Sequence, residues 1–90
     1  MDGMIDRRKH YVEVLSETDV EGRVKPLEVI WDDGTRYKID RVLDRRQAHS
    51  LRTGGTGMRY TVRVAGRDTF LYYEGPRWFV EAKVPPSYLG

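Results

Sequence analysis

Met58-Arg59-Tyr60-Thr61-Val62-Arg63-Val64 alternates without a break. Met58, Tyr60, Val62 and Val64 fall on one side; Arg59, Thr61 and Arg63 fall on the other. Side chains of an extended chain point to opposite faces in turn, so this stretch predicts a strand with one face in a core and one in water. Ala65-Gly66-Arg67-Asp68 then reads as a hairpin turn and Thr69 to Tyr73 as the returning strand. Glu74-Gly75-Pro76 turns the chain again. Arg77 to Val84 forms the next strand, with Trp78, Val80, Ala82 and Val84 on one face, and Pro85-Pro86 ends it because proline cannot extend a ladder.

Toward the N-terminus the same grammar continues. Tyr11 to Leu15 is rich in β-formers, and Val20-Glu21-Gly22-Arg23 supplies a turn. Val24 to Trp31 is a second strand, with Leu27, Val29 and Trp31 expected on one face. Asp32-Asp33-Gly34 is a strong hairpin signal, because Asp-Gly tolerates the positive φ of tight turns. The third strand starts at Arg36, but its parity breaks where Val42 and Leu43 are adjacent and both apolar. A β-bulge near Asp40-Arg41, or a sharp bend, explains the break. Two readings stay open for Asp44 to Arg52. One is a helical turn or two, started by Asp44 and Gln47 and ended at Gly54; the other is a strand to Arg46 and then a long loop.

Six short strands with almost no helix make an all-β domain. The expected architecture is a single small SH3-like or OB-like barrel, or a strongly curled six-strand meander. It spans residues 10–85, between a polar leader at 1–9 and a tail at 86–90. Ninety residues allow one domain with one modest core. With no cysteine there is no disulfide framework, thiolate metal site or cysteine nucleophile, and the reducing cytosol is the expected compartment. No apolar run approaches a membrane span, and Met1 to Arg8 lacks the apolar centre of a signal peptide.

Charge is distributed unevenly. Arg36 to Arg67 holds nine Lys/Arg against two Asp, a net +7; residues 1–35 carry −4 and residues 68–90 carry −1. Twelve of the sixteen basic residues are Arg, which grips phosphate and carboxylate and stacks on rings. Arg59 and Arg63 lie opposite the apolar stripe of their strand, while Arg45, Arg46 and Arg52 lie outside any apolar alternation. Leu71-Tyr72-Tyr73 and Trp78-Phe79-Val80 are apolar on both faces, which offers Tyr73 and Phe79 as rings beside those arginines. Rings interleaved with cations are how single-strand binders hold bases and phosphates. The leading expectation is therefore a non-enzymatic module for nucleic acid, RNA or single strands. Arg45, Arg46, Arg52, Arg59 and Arg63 would take phosphates, and Tyr73 and Phe79 would take bases. The alternative is a protein–protein adaptor or homo-oligomer subunit, such as a homodimer, using the same face. A bland alternative stands beside both: a small barrel burying aromatics on both sides of a bent strand. Asp40 and Asp44 are expected to bind turn backbone or to pair with Arg41 and Arg59.

Other motifs carry less. Gly54-Gly55-Thr56-Gly57 could present consecutive amides to an anion, but a strand follows it rather than a helix, so a flexible connection is expected. His49 and His10 are the only imidazoles and share no ligand spacing, so no metal or other cofactor is expected. Ser50, His49 and Asp44 lack the arrangement of a hydrolytic triad, and no enzyme is expected.

The pattern Ile30-Trp31-x-Asp33-Gly34-x-x-Tyr37-x-Ile39-Asp40-Arg41-Val42-Leu43-Asp44 resembles that of a family of short bacterial proteins. The pattern continues through Gly54-Gly55-x-Gly57-x-Arg59-Tyr60-Thr61-Val62-Arg63 to Trp78-Phe79-Val80-Glu81. The resemblance implies a compact all-β domain in a bacterial protein. It brings no activity, ligand or site residue with it.

Overall fold

The computed structural model describes residues 6–50 and 55–84, with the side chains of 9–47 and 57–81. Six strands follow in order: β1 (Asp6–Thr18), β2 (Val24–Ile30), β3 (Arg36–Ser50), β4 (Gly55–Val64), β5 (Arg67–Glu74) and β6 (Arg77–Val84). Each pairs antiparallel with the next, and β6 returns to β1, so the sheet closes into a barrel. All six expected strands are present.

The alternation of β4 sets the core. Tyr60 and Val62 are each 1% exposed, and they pack with Val12, Val29, Ile39, Leu71 and Trp78. Met58 and Val64, the other two members of the stripe, are partly buried against this cluster. Tyr60 reaches across the barrel, where its hydroxyl donates to the Val24 carbonyl and accepts from Arg45 Nε at 3.1 Å. A phenol this deep needs such partners, because an unbonded hydroxyl in an apolar core is costly.

Turns are local. Gly34 has φ 87° between β2 and β3, and Thr35 N donates to Asp33 Oδ1 at 2.9 Å. Ala65 and Gly66, at φ 51° and 78°, join β4 to β5 in two residues, and the double positive φ matches the right-handed twist of a hairpin.

Irregularities fall partly where expected. In β3 the register shifts between Ile39 and Arg41 and again between Val42 and Asp44, so Asp40 and Leu43 are bulge residues. The first bulge turns Val42 to the core, and the second leaves Leu43 unpaired and exposed. In β2 the expected face of Leu27, Val29 and Trp31 is broken. Leu15 opposes Glu28 and Ser16 opposes Pro26, which leaves Leu27 as an extra residue. Val29 alone of the three is core, and Trp31 lies in the turn, stacked on His10 at 4.8 Å.

Two boundaries differ from expectation. β1 begins at Asp6, inside the stretch read as leader, because Asp6–Lys9 pairs with Val84–Glu81 of β6. Residues 44–50 are neither helix nor loop. β3 runs on to Ser50, paired with β4 down to Gly55. A strand partner supplies the ladder that local propensity does not, and it overrides the weak capping signal. Residues 51 and 52 lie outside the described residues.

Candidate nucleic-acid interface

The outward positions of β3, β4, β5, β6 and β1 line up across the barrel. Arg46 opposes Arg59, Arg59 opposes Tyr72, Tyr72 opposes Phe79, and Phe79 opposes Tyr11. Directly opposed side chains on one face sit within contact range, so this row is continuous. A second row joins Asp44, Thr61 and Phe70, and a third joins Arg41, Arg63 and Asp68.

Phe79 is at the centre of the first row. It points away from the core yet is only 3% exposed. Tyr72 stacks on it at 4.9 Å with 5° between planes, Tyr11 meets it edge-on at 5.7 Å, and Lys9 Nζ lies 5.1 Å from its centroid. The exposed rings of the face each carry a guanidinium. Arg59 Cζ is 4.4 Å from the Phe70 centroid, and Arg77 Cζ is 3.9 Å from that of Tyr11. Each such pair offers charge and π surface together.

Carboxylates temper the charge. Asp44 Oδ2 accepts from Arg46 Nε at 2.7 Å, and this bond, aided by the nearby charges of Arg46 and Arg59, holds the Asp44 carboxyl below its ordinary range. Asp68 binds Arg63 at 2.9 Å, which raises the Arg63 pKa. Lys9 and Tyr11 both donate to Glu74, at 2.6 and 2.8 Å, and lower its pKa. Tyr72 is shifted up, first by burial and then by donating to Glu81 at 3.0 Å. Arg41 has no ion pair among the described residues, and the Nε of Arg59 is buried without a hydrogen bond.

The structure divides the expected site residues. Arg46, Arg59 and Arg63 share the outer face. Arg45 does not: it opposes the core residue Tyr60 and lines a recess with Lys25 and Glu17 at the β1–β2 end. Alternation puts these neighbours on opposite faces, and the two upstream bulges cancel in parity, so Arg45 faces inward like Ile39 and Arg46 outward. Arg52 lies outside the described residues. Tyr73 faces inward against Trp78 at 4.6 Å, opposite Met58. Phe79 faces outward but is covered, so neither ring is presented for stacking. Asp44 pairs with Arg46, where Arg41 or Arg59 was expected.

Sequence reasoning missed Arg41, Phe70, Tyr72, Tyr11 and Arg77. Thr69 to Tyr73 held the signal: once Leu71 is placed in the core, Phe70 and Tyr72 must point out. Gly57 is not part of a loop. It is a β4 residue opposite Ala48, and a Cβ there would run into the Tyr73 carbonyl oxygen, so close backbone approach explains this glycine. Among the described residues no cluster of His, Asp or Glu is arranged to hold a metal, and no helix is long and apolar enough to cross a membrane.

Comparison with family models, with curated proteins and with solved structures gives no match for this chain. The resemblance to short bacterial proteins therefore has no matching family model behind it.

Proposed function

We propose that this barrel is a non-enzymatic binding module for single-stranded nucleic acid, with RNA as the preferred form. The observation that carries the proposal is the cross-strand row Arg46–Arg59–Tyr72–Phe79–Tyr11, flanked by Arg41, Arg63 and the exposed Phe70. Arg41 and Arg59 meet phosphates first. Arg46 and Arg63 join when a phosphate replaces their Asp partners. Phe70 and Tyr72 supply ring faces, and the buried Phe79 holds Tyr72 flat.

Affinity for a labelled single-stranded RNA, measured against salt, tests this. Two phosphate contacts from Arg41 and Arg59 give a log–log slope of about −1.4, and all four arginines give about −2.8, at ~0.7 per contact. Arg59→Ala lowers the slope by about 0.7 and weakens binding equally for all sequences. Absence of binding at low salt, or a flat salt profile, refutes the proposal.

One observation favours a second reading, a surface for a protein partner or a second copy. Asp44 and Asp68 already neutralise two of the four arginines, and Leu43 and Phe70 are exposed apolar groups beside them. A dimer in light scattering that ignores RNA decides for that reading.

A further inference from the structure

Between β5 and β6 the barrel wall opens. Their ladder covers only Tyr72–Glu74 against Arg77–Phe79. Beyond it, Arg67–Leu71 pairs with β4 alone and Val80–Val84 with β1 alone. On each run every second residue turns its N–H and C=O toward the opening, where no ladder partner meets them. The opening leads into a groove of about 600 Å³. Val29, Val62 and Leu71 line it, and Trp31, Tyr37 and Phe70 rim it at 38%, 41% and 46% exposure.

Single exposed rings are ordinary, but three around one apolar groove form a patch of the kind that marks a binding site. They come from three separate places: the β2–β3 turn, β3 and β5. An aliphatic occupant would leave the backbone groups of both strand edges dry and unbonded, which is costly. A planar heterocycle with donors and acceptors on its rim serves rings and backbone together. Charge points to the same occupant. Arg67 lies at the groove without an ion pair among the described residues, Glu81 lines it too with its carboxylate accepting from the Tyr72 hydroxyl at 3.0 Å, and Arg59 sits over Phe70, the ring shared by groove and outer face. Both cations favour a heterocycle attached to an anionic chain.

We propose that this groove takes one unstacked nucleobase of the bound strand, between Trp31, Tyr37 and Phe70. The inference rests on the nucleic-acid reading and adds to it a base pocket that shares only Phe70 with the phosphate face.

The test follows backbone amide signals of the isotope-labelled protein during titration with the ribonucleoside monophosphates of A, C, G and U, with ribose phosphate as control. At least one nucleotide shifts the amides of Phe70, Leu71, Val80 and Glu81 saturably, and ribose phosphate does not. Trp31→Ala and Phe70→Ala each weaken binding of a single-stranded oligonucleotide by about 5- to 150-fold, while Phe70→Tyr keeps it. Trp31→Ala leaves the Arg59–Phe70 pair in place, so its loss reports on the groove alone. No amide shift with any nucleotide overturns the inference. So does wild-type oligonucleotide affinity in both alanine variants, while salt-dependent binding keeps the outer-face reading alive. A Val-Thr alternating peptide that shifts these amides when no nucleotide does makes the groove a strand-docking site and also overturns it. If no oligonucleotide binds at all, both readings fall together.

Discussion

Gly57→Ala separates a packing role from an anion-binding one. In the structure a Cβ at this position would collide with the Tyr73 carbonyl oxygen and lie 3.3 Å from Tyr73 C and 3.5 Å from Glu74 Cα. All three atoms are backbone, so no side chain can swing aside, and β5 must move away from β4. Overpacking of this kind costs on the order of 2–3 kcal/mol when the obstacle cannot yield. Alanine recovers about 0.5–1 kcal/mol by restricting the unfolded chain. The net loss is about 1–2.5 kcal/mol, a large share of the roughly 4–13 kcal/mol expected for a domain of this size. At about 4–8 °C per kcal/mol, Tm falls by ~4–20 °C. Thermal melting followed by circular dichroism measures it. Gly75→Ala is the control, because its Cβ would meet only the Tyr73 ring at 3.4 Å, and its Tm stays near that of the native chain. A Gly57→Ala Tm at or above the native value refutes the packing argument. An unchanged Tm with weakened RNA binding restores the anion-nest interpretation of the glycine cluster.

Three further outcomes follow from other contacts. Tyr60→Phe leaves the Val24 carbonyl and Arg45 without their buried partner, so stability drops by about 1–2 kcal/mol in urea with an unchanged m-value; an unchanged midpoint removes the cross-barrel role of this hydroxyl. Ala65→Asn suits the positive φ at that turn and raises Tm by a few degrees, about 0.5–1 kcal/mol, whereas a lower Tm contradicts the turn assignment. Glu74 has a carboxyl pKa held below 4.5 in the folded state by hydrogen bonds from Lys9 and Tyr11. Its stabilisation is present above the unfolded pKa and is lost as pH falls through the folded one, so native stability declines in acid and Glu74→Gln flattens that decline. Superimposable pH profiles for the two proteins contradict the linkage.

The strands of this protein are legible because each is written in its own residues. Met58 to Val64 alternates, so its inward set and outward set follow from backbone geometry alone, and Asp33-Gly34 and Ala65-Gly66 mark turns through their φ preferences. The bulge at Asp40 was visible as a broken parity. What those signals cannot carry is adjacency. Whether Arg59 lies beside Tyr72 depends on the β4–β5 register, and whether Phe79 is open or covered depends on Tyr72 and Tyr11 arriving from two other strands. A one-residue bulge exchanges the faces of everything after it, which is how Leu43 decides that Arg45 turns inward and Arg46 outward rather than the reverse. The groove between β5 and β6 is likewise absent from any single segment, since it exists only where two strands part. The sequence by itself therefore determined the strands, the turns and the inward stripe, all of which are local. Barrel closure, the outward row of arginines and rings, and the groove beside β5 and β6 were decided by tertiary pairing, because register between distant segments is a property of the assembled sheet.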